Sequence, residues 1–343
     1  MYYFRNRILF FIFHFISSVT IISSMDKTIT IIIPFYNCKD ALPRMLESIL
    51  AGTMLPYEII LIDDGSSDGS SDVAYNYAQK YAFIKALSQS HAGVSAARNL
   101  GIKNAGGYWI SFLDADDHIE PDMYAKMLEA IESASSDHGL NGNRNVDGCL
   151  CGYFTHKDSV VTPYSYNSSE ILSSEDLLRL MFTDDTVRGF LFTRLFKTDL
   201  LKELSFDTDI RICEDLLFQT RLFSSKDVHF ACLPLPMYHY IQDQASATVT
   251  KCFFDGETFI YKPAYDRISS CISSDYVLSS YNSILDYSMY TLLNQYKLGK
   301  NAETKAQIRM LQKEMRQTKT PLAQKSKRRI FYELAPAQVL ISL

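Results

Sequence analysis

From residue 29 onward the chain repeats one pattern: a short apolar, β-branched run, a polar stop, then apolar positions at helical spacing. Ile29-Thr30-Ile31-Ile32-Ile33 is the first run, and Pro34-Phe35-Tyr36-Asn37 ends it. Residues 41–50 follow, with Leu42, Met45, Leu46, Ile49 and Leu50 on one helical face. Glu58-Ile59-Ile60-Leu61-Ile62 is the second run and stops at Asp63-Asp64-Gly65-Ser66-Ser67-Asp68. The segment Ser88 to Asn99 opens a further helix after Gly93. Ile110-Ser111-Phe112-Leu113 then runs into Asp114-Ala115-Asp116-Asp117, and Pro121-Asp122 is a good helix start. Further strands are predicted near 150–154 and 228–240, and helices near 174–181 and 214–223. Residues 133–148 are polar and Gly/Asn-rich and read as a loop, while the pattern from 255 onward is helical and Tyr-rich. No internal repeat is present. Strands alternating with helices predict an α/β fold with a mostly parallel central sheet flanked by helices and a helical C-terminal extension. Such sheets take ligands at the carboxyl ends of their strands, and each polar cluster above lies at such an end.

Asp114, Asp116 and Asp117 place three carboxylates within four residues at the end of an apolar run. Holding that much negative charge at a strand end is unfavourable unless a positive group compensates it. A hard divalent cation with oxygen ligands, itself holding phosphate oxygens, meets that need. Taken alone, the segment reads equally as a solvated acidic turn followed by a helix cap. The pair Glu214-Asp215 opens an apolar helix, where the helix dipole favours negative charge, and N-terminal capping would account for it without any chemistry. No His, Cys or Glu cluster near the acidic turn has zinc spacing.

Four clusters in this order resemble the family 2 glycosyltransferases, which have the GT-A nucleotide-sugar-binding fold. They are Ile33-Pro34-Phe35-Tyr36-Asn37, Ile62-Asp63-Asp64-Gly65-Ser66, Gly93-Val94-Ser95-Ala96-Ala97-Arg98-Asn99 and Phe112-Leu113-Asp114-Ala115-Asp116-Asp117, with Glu214-Asp215 fitting later. The resemblance covers residues 27–245, and the tail is similar to that of bacterial capsule and exopolysaccharide transferases. It implies that Pro34, Tyr36 and Asp63 contact the nucleotide base, that Arg98 lies near the nucleotide, and that Asp114 reaches the ribose or donor sugar. It further implies that Asp116 holds Mg²⁺ or Mn²⁺, and that Asp215 is the general base with Glu214 beside it. The activity so implied is inverting transfer of a hexose from a nucleotide sugar, with UDP as the expected carrier, to a glycan hydroxyl, as in surface polysaccharide biosynthesis. Two alternatives stay open at this point. A nucleotidyltransferase also uses α/β sheets and carboxylate-bound metal, but Pro34-Phe35-Tyr36-Asn37 is not the Gly-rich, basic phosphate loop it would usually carry. A glycan- or lipid-binding module that has lost catalysis is the other, against which Asp116 and Asp215 both count. Thr193-Arg194-Leu195-Phe196-Lys197 resembles a segment preceding the base, and reads either as an acceptor contact or as an ordinary edge.

Composition narrows the picture in three ways. The 34 basic and 39 acidic residues leave a net charge of −5, which argues against a nucleic-acid partner. The cysteine count of 7 is odd and scattered, with Cys149 and Cys151 on one face of a predicted strand as small core residues, which fits reduced thiols in the cytoplasm where nucleotide sugars are made. The domain organisation expected is an apolar extension over 1–26, a GT-A domain over 27–250 and a helical, basic region over 251–343. The extension, with Arg5 and Arg7 before Ile8 to Ile16, resembles a signal peptide, yet secretion would part the enzyme from its donor. Its apolar run of roughly fifteen residues is short against the about 20 that span a bilayer. It reads as a membrane anchor or as a non-native start ahead of a true initiator at Met25. The basic tail, ending in Lys325-Ser326-Lys327-Arg328-Arg329, reads as a solvated helix or as a dock for anionic lipid. In the second case the enzyme would sit at the inner face of the cell membrane and meet a lipid-linked glycan acceptor.

Overall fold

The computed structural model describes residues 29–136, 145–242, 253–299, 301–318, 320–321, 325–336 and 339–340. The expectations for 1–26, for the middle of the 133–148 loop and for the segment after Gln242 lie outside these residues. The chain divides into two compact units. The first comprises Met1–Ser173, Phe190–Thr208 and Val228–Gln242, and the second Ser174–Gly189, Asp209–Asp227 and Asp243–Leu343.

The first unit is built on one sheet. Its strands are β1 (Ile29–Phe35), β2 (Glu58–Asp63), β3 (Ile84–Ser88), β4 (Trp109–Phe112), β5 (His118–Ile119), β6 (Gly148–Lys157), β7 (Val160–Tyr164), β8 (Leu172–Ser173), β9 (Arg194–Lys197) and β10 (His229–Ile241). The spatial order is β3-β2-β1-β4-β9-β6-β10-β5, with β7 paired to β6 and β8 to β10. β1 pairs in parallel with β2 and β4, β2 with β3, and β6 with β10. β1 and β2 are buried along their whole length, which is why they read as unbroken apolar runs and not as alternating ones. The helices Leu42–Leu50, Ser70–Lys80, Val94–Asn104 and Met123–Ser136 cover the faces, the first burying Leu42, Met45, Leu46 and Ile49 as its spacing predicts. Gly101 lets the Val94–Asn104 helix lie close to the sheet, since a Cβ there would sit 2.4 Å from Ile32 Cγ2.

β9 is where the local pattern misleads. Thr193–Lys197 is no edge: β9 runs antiparallel between β4 and β6, deep in the sheet. Leu195 and Phe196 are fully buried, Arg194 donates to the Phe190 carbonyl and the Thr193 hydroxyl, and Lys197 pairs with Asp147 at 3.0 Å. Gly148 of β6 packs under it, with an added Cβ 2.4 Å from both Leu195 O and Phe230 Cε1. The thiols of Cys149 and Cys151 are free and buried in β6, as their alternation predicts. β10 shifts register around Pro236, where a strand residue without an N–H cannot join the ladder, then continues through Tyr238 and His239 to pair with β5.

The second unit is helical apart from a small hairpin at Phe254–Phe259: Ser174–Thr183, Glu214–Ser225, Lys262–Cys271, Asp275–Gly299, Ala302–Gln317 and Lys327–Leu334. Arg329 is buried there, donating to Glu333 at 2.6 Å and to the Met315 carbonyl at 3.1 Å, and Lys325 pairs with the same Glu333. Among the described residues, no helix is long and apolar enough to cross a membrane.

Candidate active site

Register brings the polar clusters together. Phe35 stands opposite Asp63, Asp63 opposite Ser88, and the Leu113 N–H bonds Ile32 O, so the segments leaving β1, β2, β3 and β4 emerge along one end of the sheet. Pro34 is buried beside Ile62, and Tyr36 follows it into solvent at 49% exposure with its ring 4.3 Å from that of His91. Tyr36 is therefore a surface ring and not a core residue. Buried Asp63 accepts from the Ser66 N–H at 2.9 Å and from the Ser71 hydroxyl. Asn37 links the two loops: its N–H donates to Ser66 Oγ at 3.0 Å, and its Oδ1 accepts from the Ser67 N–H at 2.8 Å.

Asp64 fixes the next loop. Its Oδ1 accepts from Gln89 Nε2 at 2.7 Å and the Ala92 N–H at 2.8 Å, and its Oδ2 from the Gly93 N–H at 2.9 Å, with His91 Nδ1 also 2.9 Å away. Burial by itself would raise this carboxyl, but the bonds from Ala92, Gln89 and Gly93 outweigh it and hold it below the ordinary range. Gly93, at φ 91°, then opens the helix that carries Arg98.

Arg98 is only 7% exposed, so its pairing with Asp114 Oδ1 at 3.3 Å is not a surface salt bridge. Its guanidinium also faces the Phe206 ring at 5.6 Å. Asp116 is exposed, and its backbone carbonyl accepts from Arg44. Asp117 turns inward and is 1% exposed. Its Oδ2 accepts from the Tyr238 hydroxyl at 2.5 Å and its Oδ1 from the Ile241 N–H at 2.7 Å, so it ties the acidic turn to β10 and does not cap the following helix. Burial first, then the charges of Asp114 and Asp116, push its carboxyl up to about 8. That accumulation of negative charge, with Asp114 and Asp116 offering hard oxygen donors at a strand end, fits Mg²⁺ or Mn²⁺.

Glu214 and Asp215 belong to the second unit. They open the Glu214–Ser225 helix, half-buried, and Asp215 Oδ1 accepts from the Leu216 N–H at 2.7 Å. The residue before them, Cys213, is held at φ 61°, a left-handed conformation uncommon for a side chain of this kind. Six predicted residues, Pro34, Tyr36, Asp63, Arg98, Asp114 and Asp116, thus gather in the first unit, and the two predicted for base catalysis lie in the second.

Three features escaped the sequence pattern. Asp64 is the hub of a loop, His91 links it to the Tyr36 ring, and Tyr238 bonds the acidic turn from a strand more than a hundred residues away. His118, His156 and His239 also converge, which no spacing along the chain suggests. Burial holds His118 down to about 4 and His156 below the ordinary range.

Residues 30–170 match the family described as "Glycosyl transferase family 2". The chain is 28% identical over 249 residues to "Uncharacterized glycosyltransferase EpsJ" of Bacillus subtilis (strain 168), covering 71% of this chain and 67% of that protein. It is 32% identical over 174 residues to "Uncharacterized glycosyltransferase YibD" of Escherichia coli (strain K12), covering 50% and 49%. Among solved structures it resembles S. aureus TarS 1-349 in complex with UDP-GlcNAc, at TM-score 0.64 and 18% identity over 92% of this chain and 88% of that one. These likenesses favour neither a nucleotidyltransferase nor a binding module without catalysis. With the GT-A architecture and a carboxylate cluster at the strand ends, residues 30–170 of this chain are similar to glycosyltransferase family 2.

Proposed function

We propose that the protein is an inverting, cation-dependent hexosyltransferase that moves a sugar from a UDP-linked donor to a glycan hydroxyl, in the synthesis of a surface polysaccharide. The observation that carries this reading is the set of polar groups at the parallel strand ends: Asp63, the Arg98–Asp114 pair, and exposed Asp116. The TarS complexes with UDP and with UDP-GlcNAc support the choice of donor, and relatives named chondroitin synthase support a glycan acceptor.

In this reading Asp63 accepts from an imide N–H of the base while Tyr36 and Pro34 border it. Arg98, neutralised in part by Asp114, orients that carboxylate toward the ribose or donor sugar. Asp116 would hold Mg²⁺ or Mn²⁺, whose positive charge stabilises the departing diphosphate. Asp215 takes the proton of the acceptor hydroxyl as the new bond forms, with Glu214 beside it. The left-handed Cys213 that sets the start of their helix supports a functional role, because backbone strain of that kind persists where surrounding structure enforces it. A lipid-linked acceptor would be met at an anionic inner membrane face through the basic tail. Lys327 and Arg328 are exposed for such contact, whereas Lys325 and Arg329 are bonded to Glu333.

The test is a screen of nucleotide sugars for release of nucleoside diphosphate with Mg²⁺ or Mn²⁺, run beside Asp116→Ala. Turnover with a UDP-sugar, lost in the folded variant and in EDTA, is the expected result. Full activity in EDTA, or wild-type turnover by the variant, would overturn the cation assignment.

A further inference from the structure

His118, His156 and His239 come from three neighbouring strands of the first unit. His239 of β10 stands opposite His118 of β5, and opposite Phe154 of β6, two residues before His156 and so on the same face of the sheet. One nitrogen from each ring lies within 4.8 Å of the others. The His118 and His239 rings stack at 4.1 Å, and His156 Nε2 is 2.8 Å from His239 Nδ1. On its far side, His239 Nε2 is 2.8 Å from Glu120 Oε1.

A carboxylate oxygen accepts, so His239 donates from Nε2 to Glu120, and one proton lies between its Nδ1 and His156 Nε2. The Nδ1 of His118 is buried with no hydrogen-bond partner, which is costly for a polar atom with nothing to bond. A single cation between the rings would replace the shared proton and could engage all three.

We propose that His118, His156 and His239 form a binding site for a borderline transition-metal ion such as Zn²⁺, oriented by Glu120 and separate in chemistry from the carboxylate site at Asp114 and Asp116. Three imidazoles select Zn²⁺, Cu²⁺ or Ni²⁺ over Mg²⁺, which prefers oxygen donors. Zinc–nitrogen bonds of about 2.0–2.1 Å in a tetrahedral arrangement set the nitrogens about 3.4 Å apart. The His156–His239 pair opens slightly to reach that spacing, and His118 closes by a ring rotation. Glu120 supplies the carboxylate–histidine pairing that metal-bound imidazoles usually have. The bound ion would cross-link β5, β6 and β10. His118 is the residue after Asp117, and β10 holds Asp117 through Tyr238 and Ile241 on either side of His239, so the ion would brace the acidic turn.

The experiment uses the full, untagged chain, freed of metal by chelation and kept in excess Mg²⁺ so that the carboxylate site is filled. Calorimetric titration with Zn²⁺ should give one site of micromolar affinity or tighter. Substitution of Co²⁺ should give the visible bands of a nitrogen-ligated tetrahedral ion. His156→Ala should abolish the binding, Glu120→Gln should weaken it by about 10- to 100-fold, and Asp116→Ala should leave it unchanged. Because removing a side chain from the β6 strand can impair folding, Glu120→Gln serves as the milder check. No Zn²⁺ binding by the wild-type chain, binding indifferent to both His156→Ala and Glu120→Gln, or cobalt spectra dominated by thiolate charge transfer would each overturn the proposal.

Discussion

Replacing Asp64 tests the claim that a buried carboxylate, and not the loop's own sequence, holds residues 89–93 in place. In Asp64→Ala, Gln89 Nε2 and the backbone N–H groups of Ala92 and Gly93 lose their acceptor together. A hydrogen bond to a charged group contributes about 1.5–3 kcal/mol, so the two backbone bonds set a ceiling of about 3–6 kcal/mol. Ala92 is exposed and water can replace part of its bond, as it can for the Gln89 side chain. A local loss of about 2–4 kcal/mol remains after that discount. Hydrogen exchange at the Ala92 and Gly93 amides should therefore accelerate by about 30- to 1000-fold, at about 1.4 kcal/mol per factor of ten. Asp64→Asn should do nearly as much, because its amide NH₂ would point a donor at donors. The same loop carries His91 beneath the Tyr36 ring and leads into the helix of Arg98, so affinity for UDP should fall alongside. Unchanged exchange at both amides in Asp64→Ala would refute the reasoning, whatever happened to activity.

Asp215→Asn keeps shape and hydrogen bonding but removes basicity, so sugar transfer should drop by about 10²–10⁴-fold while UDP affinity, measured by calorimetry, changes little. Near-normal transfer would move the base role to another carboxylate, Glu214 first. Glu58 is buried at the start of β2, bonded by Lys85, Thr30 and Gly106. Burial opposes its ionisation, but these bonds win and hold its carboxyl below the ordinary range. Its folded value is depressed, so the stability it contributes is present above the unfolded carboxyl value of about 4.3 and is lost as pH falls through the folded one. Urea titrations of wild type and Glu58→Gln should accordingly differ most near neutral pH and converge in acid; a constant gap would contradict this. Gly148→Ala forces a Cβ against the Leu195 carbonyl and the Phe230 ring, and overpacking of that kind should cost about 3 kcal/mol in urea denaturation. Wild-type stability would show that β9 and β10 can shift apart.

Much of the first unit was legible because its information is local. Fully buried parallel strands must be apolar on both faces, so β1 and β2 announce themselves as Ile-rich runs, and the polar residues that follow each run fall at the strand ends by necessity. The order of those clusters carried the family resemblance, and the apolar faces of the helices at 42–50, 174–183 and 214–225 carried their placement. The sequence by itself therefore determined the alternation, the end of the sheet where polar groups collect, and the residue types present there. Tertiary structure alone decided which of them meet. β9 is short and apolar, and only pairing with β4 and β6 makes it a central antiparallel strand instead of an edge. Asp114, Asp116 and Asp117 are alike in sequence, yet one pairs with Arg98, one faces solvent and one is buried against Tyr238 and Ile241. His118, His156 and His239 share no spacing at all and are neighbours only because β5, β6 and β10 are in register. The physical reason is that hydrophobic periodicity reports which face of an element is buried, whereas the partner across a strand is set by chain closure over long separations, which no local window records.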